Sequence, residues 1–286
     1  VVVYLREYML KYVFRALLTA FFAWALFSPF IEKEVTVEES EQTQSTPTGT
    51  QRVIKKEKPL HNVKLPDFAA FTDVKEKKAA FFNFMYPAVI AENARVKEER
   101  EFIESLVMKL DNDSDITSTD LDKATKLGDL YKEKLTDAGV NADWVNAMLV
   151  KVDYIPAPLV LSQGANESAW GTSRFAREAN NYFGQWCYTK GCGVVPSKRN
   201  EGAAHEVAKF DSSQGAVHAY FMNVNRNNAY AELRIIRAKL HSSPEALTPE
   251  QEANALANGL IRYSERGEAY VEEIQAMIRH NSQYWR

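Results

Sequence analysis

The sequence predicts a mainly α-helical protein, α+β in class, with one small β-hairpin lobe. Apolar residues recur at helical spacing through most of the chain after residue 67, as in the stretch 96–110. Helix-capping patterns begin several such stretches, for example Thr248 with Gln251 three residues later. Apolar and polar residues alternate, as in a strand, only near residues 194–210. We therefore expect one small sheet beside a helical body.

The first 31 residues have the pattern of a signal peptide or a membrane anchor. Residues 16–31, ALLTAFFAWALFSPFI, are apolar, with basic residues before them and glutamates after them. This asymmetry predicts a cytoplasmic start with the rest of the chain outside. The stretch is shorter than the roughly 20 residues of a typical span, so a cleaved signal and an uncleaved anchor both stay open. We expect the rest of the chain to lie beyond the cytoplasmic membrane, either anchored to it or exported.

Two regions separate this segment from the last domain, residues 151–286. Residues 32–66 are rich in Glu, Lys, Thr, Ser and Gln and have few large apolar side chains, which predicts a disordered tether. Residues 67–150 predict an accessory helical region, in which Thr119 and Asp122 have the spacing of an N-cap and its capping-box partner. We expect this accessory region to pack against the last domain.

Composition argues against two classes of function. The formal net charge is −3 and the basic residues are scattered among acids, so no nucleic-acid binding is expected. Residues 111–122 have aspartates at the first, third and fifth places of a calcium loop. However, Ile116 takes the place of the sixth-position glycine and Asp122 that of the twelfth-position glutamate. We interpret this segment as an acidic turn and expect neither a metal nor a cofactor.

Glu167 is the candidate general acid. It lies in SQGANESAWGTSRF, residues 162–175, where small residues otherwise indicate close packing. On one continuous helix, Glu167 would share a face with Gly164, which leaves a gap, and with the large apolar Trp170. A carboxyl beside an indole and short of solvent has a raised pKa, as a general acid near neutral pH requires. On spacing alone, an exposed surface glutamate stays an alternative.

The segment NNYFGQWCY, residues 180–188, predicts a sugar-binding surface. Its four aromatic residues are interleaved with amide side chains. Flat apolar faces beside amide donors are suited to sugar rings. A purely structural core loop is the alternative, but a core seldom dehydrates several amides at once.

The stretch SQGANESAWGTSRFAREANNYFGQWC resembles the glucosaminidase domain of glycoside hydrolase family 73, the flagellar-type and autolysin-type peptidoglycan hydrolases. The shared pattern is a helix with E-S-x-W-G-x-S, followed by N-N-x-F-G. The likeness continues through KFDSSQGAVHAYFMNVNRNNAYAELR and more weakly to RYSERGEAYVEEI. Over about residues 67–285, the chain is similar to the subgroup called Bax-like proteins.

This resemblance implies a lysozyme-like fold and cleavage of the β-1,4 bond after N-acetylglucosamine, with peptidoglycan glycan strands as the partner. The family's catalytic acid falls on Glu167. Its second acid lies in the hairpin lobe, where we prefer Glu206 and keep Glu201 as the alternative. Water, that carboxylate or the substrate's own acetamido group would complete the reaction. The family's groove tyrosine falls on Tyr263, and its second tyrosine on Tyr270, with a spacing one residue longer than usual.

The resemblance also implies a set of side chains along the groove. Phe183 and Trp186 would stack on sugar rings, and Asn181 would hydrogen-bond an acetamide. The expected substrate-binding residues are Asn181, Phe183, Gln185, Trp186, Trp170 and Tyr270. Outside the cytoplasm, Cys187 and Cys192 can form a disulfide.

Four other classes of function can be compared with these residues. The segment HEVAKF lacks the second histidine of a metalloprotease helix, because Lys209 stands there. A Cys–His hydrolase would use Cys187 with His205 or His218, but pairing with Cys192 would remove the thiolate. A lytic transglycosylase shares the fold and needs one catalytic glutamate. A cell-wall-binding protein without turnover is the remaining alternative.

Overall fold

The computed structural model describes residues 65–196 and 205–285, which form a mainly helical body with a small antiparallel sheet. This confirms the predicted class. The expected anchor, residues 1–31, and nearly all of the expected tether lie outside the described residues. Within residues 65–196 and 205–285, no helix is both long and apolar enough to span a bilayer.

The elements are numbered in chain order within the described residues. The helices are α1 (Val74–Asp111), α2 (Ser118–Tyr131), α3 (Ala142–Lys151), α4 (Ala157–Glu167), α5 (Arg174–Ala179), α6 (Ser213–Arg226), α7 (Ala231–His241), α8 (Pro249–Ala257) and α9 (Glu268–His280). The strands are β1 (Trp186–Cys187), β2 (Gly193–Val194) and β3 (Glu206–Ala208), and 3₁₀ turns cover Asn228–Tyr230, Asn258–Leu260 and Ser282–Tyr284.

Helix α1 joins the accessory region to the last domain. Asp73 begins it by accepting a hydrogen bond from the backbone N–H of Glu76 at 2.8 Å, which satisfies one of the free donors of the first turn. Its buried face includes Phe81, Phe82 and Val96, and it packs against α3, α4 and α6. Residues on both sides of position 150 therefore share one hydrophobic core.

Helix caps follow the sequence patterns, with one shift. Thr248 and Gln251 form the predicted capping box at the start of α8. Thr119 does not cap α2; the capping box uses Thr117 and Asp120 instead. Residues 117–122, T-S-T-D-L-D, contain a threonine three residues before an aspartate twice, so both pairs fit the capping-box pattern. In the observed one, Asp120 also forms an ion pair with Lys109 of α1.

The sheet has the strand order β1-β3-β2, and both pairs are antiparallel. The predicted pairing of the region near Val194 with residues 206–208 is observed as β2 and β3. Strand β1, which pairs Trp186 with Val207, was not predicted from the sequence, because the aromatic segment 180–188 that contains it was interpreted as a sugar-binding surface. Cys187 and Cys192 form a disulfide with Cα atoms 6.2 Å apart, which closes the loop between β1 and β2.

A buried charge cluster stabilises the junction that precedes α4. The guanidinium of Arg237 donates to the backbone oxygens of Val150, Asp153 and Tyr154 at 3.0–3.1 Å. The ring of His241 bridges Asp153 Oδ2 at 2.9 Å and Glu252 Oε1 at 2.8 Å. The cluster thus connects α7 and α8 to the chain segment that leads into α4.

Stability should depend on pH through His241. Its two carboxylate partners, first Asp153 and then Glu252, raise its pKa to about 9. Because the folded pKa lies above the unfolded value of about 6.5, this stabilisation is complete below pH 6.5 and is lost as the pH rises through 9. We expect the wild type to lose about 2 kcal/mol of unfolding free energy between those limits.

The measurement is urea unfolding at a series of pH values from 6 to 10. The variant His241→Gln should be less stable than the wild type at pH 6 and should lack this decline. The exposed His280 provides the control, since His280→Gln should keep the wild-type profile. Parallel profiles for the wild type and His241→Gln would show that the cluster does not act through this histidine.

Candidate active site

Glu167 is the last residue of α4. The helix before it is almost entirely buried, from Pro158 to Ala165, so its end delivers the carboxyl from the core toward the surface. Beyond Ser168, the backbone of Ala169, Trp170 and Gly171 is left-handed, with φ of 49°, 58° and 76°. A side chain at position 171 would overlap the ring of Phe68, which explains why glycine occupies the last of these positions.

Trp170 does not continue the helix of Glu167, contrary to the prediction that the two share one helix face. The helix ends three residues before it, and the left-handed turn directs its indole onto α1. There the ring contacts Phe82 at 5.2 Å and Phe81 at 6.0 Å between centroids, with Lys78 Nζ at 5.2 Å from its centroid. Trp170 therefore anchors the turn after α4 to the core.

The carboxyl of Glu167 lies between a buried tyrosine and an exposed glycine. The hydroxyl of Tyr270, from α9, lies close enough to this carboxyl to influence its pKa. On the other side, a Cβ added to Gly184 would lie 3.4 Å from Glu167 Oε2. Gly184 is exposed and has φ of +63°, so it leaves the carboxyl open to a ligand where a larger residue would cover it.

Burial raises the pKa of Glu167 above its ordinary value. The nearby polar groups of Tyr270 and Asn166 and the charge of Arg266 oppose this rise, but burial dominates. The position at the C-terminus of α4 acts in the same direction as burial, since the negative end of the helix dipole disfavours a carboxylate. A carboxyl of this kind retains its proton to higher pH and is suited to general acid catalysis.

Tyr263 and Tyr270 support the site from α9 and the segment before it. Their rings are stacked, with centroids 5.5 Å apart and planes 6° apart. The hydroxyl of Tyr263 donates to the backbone oxygen of Phe183 at 2.7 Å, which fixes the backbone next to Gly184. Tyr270 is buried and its hydroxyl accepts a hydrogen bond from Gln163 Nε2 at 2.9 Å, so it is not the substrate contact that the sequence led us to expect.

Asn181 is also not available to a substrate, which corrects the prediction. It is 2% exposed. Its Nδ2 donates to the backbone oxygens of Gln185 and Ala208 at 2.9 Å each, and its Oδ1 accepts from the N–H groups of Phe183 and Gln185 at 3.3 and 3.0 Å. All its amide bonds are used to shape the 181–185 loop. Gln185 donates from Nε2 to Ala216 O at 3.2 Å.

The ring of Phe183 fills the gap that the absent side chain of Gly164 leaves in the surface of α4. A Cβ at Gly164 would lie 3.3 Å from the Phe183 ring, and this ring stacks on Tyr220 with centroids 4.4 Å apart. Because Phe183 is buried, the predicted stacking on a sugar is wrong for this residue. Its contribution is to hold α4 against α6.

The exposed aromatic side chains of this region lie at β1. Trp186 is 49% exposed and Tyr188 is 77% exposed, and the ring of Trp186 contacts His205 edge-on at 4.5 Å. Trp186 thus stays a candidate for stacking on sugar rings. Tyr188, which was not singled out from the sequence, has the same property.

Glu206 is built into the sheet. It is 5% exposed, its Oε1 accepts from Gly191 N at 3.0 Å, and its Oε2 accepts from Gly193 N at 2.9 Å. These bonds hold the disulfide loop against β3. Glu201, the alternative second acid, lies outside the described residues.

Gln163 was given no role from the sequence, although it lies four residues before Glu167 and so on the same helix face. It is fully buried and hydrogen-bonds both Tyr270 and Tyr220. An amide side chain one helical turn before a candidate acid is visible in the sequence and could have identified this residue.

The comparisons with known proteins identify the family of the chain. The family model described as mannosyl-glycoprotein endo-beta-N-acetylglucosaminidase matches residues 142–283. This glucosaminidase domain makes the chain an enzyme of the glycoside hydrolase type. The chain is 30% identical over 217 residues to Protein bax of Escherichia coli (strain K12), which covers 76% of this chain and 74% of that protein. It belongs to the family of Bax-like proteins with a glucosaminidase domain. No solved structure matches the chain.

Proposed function

We propose that the protein is a peptidoglycan hydrolase, an endo-β-N-acetylglucosaminidase that cleaves the β-1,4 bond after N-acetylglucosamine with Glu167 as general acid. One observation carries this proposal: burial raises the pKa of the Glu167 carboxyl, and this carboxyl lies beside the exposed Gly184. The glucosaminidase domain supports a glycan as the substrate class. The expected N-terminal segment would place the enzyme at the membrane, facing the cell wall.

In the proposed reaction, protonated Glu167 transfers its proton to the glycosidic oxygen as the bond from that oxygen to C1 breaks. Water then adds its hydroxyl to C1 and gives its remaining proton to a base. The products are a reducing N-acetylglucosamine end and a free hydroxyl on the next sugar. Glycosidases require a second group for the water or for a covalent intermediate, and its distance from the acid sets the stereochemistry.

We infer that Glu206 is less suited to this second role than Glu201 or the acetamido group of the substrate. Both oxygens of Glu206 already accept backbone hydrogen bonds, and a base or nucleophile would have to give up at least one of them. The exposed Trp186 and Tyr188 would provide the stacking faces for sugar rings, in place of the buried Phe183.

A lytic transglycosylase is the second candidate. One observation favours it: among the described residues, Glu167 is the carboxyl at this site with a raised pKa, and one acid suffices for that reaction. In a transglycosylase the C6 hydroxyl of the muramic acid residue, in place of water, attacks C1 and forms an anhydro sugar.

Mass spectrometry of the products distinguishes these reactions. Purified peptidoglycan is digested with the protein, and the soluble fragments are analysed before and after borohydride reduction. We expect fragments ending in reducible N-acetylglucosamine. Fragments ending in anhydro-muramic acid would instead establish the transglycosylase, and no release of fragments under any condition would favour a wall-binding protein.

A further inference from the structure

We propose that the glycan reaches Glu167 across Gly184, with Oε2 of Glu167 as the oxygen that donates the proton, so that position 184 must lack a side chain. The part about the glycan rests on the proposed function. The part about access to the carboxyl concerns the folded protein alone and is tested separately.

The space beside Gly184 is open except for one atom of Glu167. A Cβ added to Gly184 would lie 3.4 Å from Glu167 Oε2. Apart from the two chain neighbours of Gly184, no other atom of the described residues would lie within 4 Å of that Cβ. Gly184 is exposed and Glu167 is partly exposed. A ligand atom that enters from solvent at this point therefore contacts Oε2 directly.

A side chain at position 184 would compete with the substrate for this space. A general acid must lie about 2.6–3.2 Å from the oxygen that it protonates. The Cβ position lies 3.4 Å from Oε2, so a glycosidic oxygen bound to Oε2 across Gly184 would fill nearly the same volume. A methyl group there would fit the folded protein but would exclude that oxygen.

Hydrogen bonds fix the backbone on both sides of Gly184. The Oδ1 of Asn181 accepts from the N–H groups of Phe183 and Gln185 at 3.3 and 3.0 Å. The Nδ2 of Asn181 donates to the backbone oxygen of Gln185 at 2.9 Å. The hydroxyl of Tyr263 donates to the backbone oxygen of Phe183 at 2.7 Å. The 181–185 loop therefore cannot easily move aside to make room for a side chain.

Packing holds the same loop from the core side. The ring of Phe183 is buried, stacks on Tyr220 with centroids 4.4 Å apart and fills the gap at Gly164. Glu167 itself ends the buried helix α4. Both partners of the contact between Gly184 and Oε2 are thus held by the core, which makes the opening a fixed feature of the fold.

A left-handed backbone alone also favours glycine, and Gly139 separates that reason from access to Glu167. Gly184 has φ of +63° and Gly139 has φ of +67°, so an alanine is similarly strained at either position. A Cβ added to Gly139 would meet no atom within 4 Å. Any difference between Gly184→Ala and Gly139→Ala that exceeds this shared strain reports on the covering of Oε2.

The test of access is chemical labelling of carboxyl groups in the full-length protein. A water-soluble carbodiimide and glycine ethyl ester convert accessible carboxyls to amides at mildly acidic pH, and mass spectrometry of peptides measures the rate at each residue. We expect Gly184→Ala to slow the labelling of Glu167 severalfold and Gly139→Ala to leave it unchanged. The exposed Glu178 is the internal reference in every sample.

A second substitution keeps the test decisive if Gly184→Ala folds poorly. Asparagine adopts the left-handed conformation more readily than most residues, so Gly184→Asn should fold and should slow the labelling of Glu167 at least as much. Wild-type labelling of Glu167 in a folded Gly184 variant overturns the inference. Equal slowing in Gly139→Ala also overturns it, because strain alone would then explain the effect.

Ligand protection tests the path of the glycan in the wild type. The probe is chitotetraose, the β-1,4-linked tetramer of N-acetylglucosamine. We expect it to slow the labelling of Glu167 and to leave Glu178 unaffected. Labelling of Glu167 that stays constant up to the solubility limit of the tetramer contradicts the part of the inference about the glycan.

Activity on peptidoglycan supplies a separate measurement. With the proposed function correct, Gly184→Ala should lower kcat/KM roughly 10²-fold, because the reacting oxygen is displaced from the acid. Gly139→Ala should keep the wild-type value. Wild-type kcat/KM in Gly184→Ala would overturn the inference. Wild-type protein without activity would refute the proposed function, while the labelling rates still decide on access to Oε2.

Discussion

Replacing Glu167 with glutamine is expected to abolish cleavage of peptidoglycan, with a fall in turnover of roughly 10²–10⁴-fold. Glutamine has nearly the same shape, but its amide does not release a proton to a leaving oxygen. The measurement is the rate at which soluble muropeptides appear from purified peptidoglycan, with protein concentration and folding matched by circular dichroism.

Thermal unfolding separates this loss from damage to the fold. Burial disfavours the charged form of Glu167, so a neutral amide should leave the melting temperature equal or slightly higher. Glu178→Gln on α5 is the matched control, because Glu178 is exposed, and it should keep full activity. Wild-type turnover in Glu167→Gln would show that Glu167 is not the general acid and would refute the proposed mechanism.

The largest effect on stability is expected for Arg237→Met. Arg237 is 1% exposed and donates to four backbone oxygens of the 150–154 segment and to Asn225 Oδ1 at 2.8 Å. Its removal leaves these acceptors and the carboxylate of Asp153 without their buried cation. Breaking such a buried arrangement costs roughly 3–5 kcal/mol, which lowers Tm by about 10 °C or more in a domain of this size.

Calorimetry of purified variants measures this loss. Arg177 is exposed on α5, so Arg177→Met should leave Tm within about 2 °C of the wild type. If Arg237→Met does not accumulate as soluble protein, Arg237→Lys keeps the charge but loses the forked geometry and should show an intermediate Tm. A loss below about 1 kcal/mol in Arg237→Met would show that the junction before α4 does not depend on this cluster.

Local patterns predicted the helices well, because helical periodicity and capping are encoded within a few residues. The box of Thr248 and Gln251 is an example. The shift from Thr119 to Thr117 has a different origin: two overlapping patterns are locally equivalent, and the ion pair of Asp120 with Lys109 belongs only to one of them. A contact between two helices decides that start, and such a contact is not visible in a local pattern.

The candidate site was predictable to a lesser extent. Glu167 is conspicuous in sequence because an acid among small residues is unusual for a packed helix. The error at Trp170 arises from continuing the helix of Glu167 through residue 170, and the error at Phe183 from interpreting the aromatic segment 180–188 as a surface that faces a groove. Three left-handed residues turn Trp170 away, and the gap at Gly164 accepts Phe183 from a loop nineteen positions later in the chain. Such long-range packing follows from the complete fold and not from spacing.

The long helix α1 limits the modularity of this protein. The family match begins at residue 142, yet the rings of Phe68, Phe81 and Phe82 lie against the turn that follows Glu167. A gene fusion that transplants only the matched segment would omit these rings and leave the end of α4 unsupported. Recombination among relatives would therefore have to exchange α1 together with the matched segment, so we expect the two regions to be inherited together.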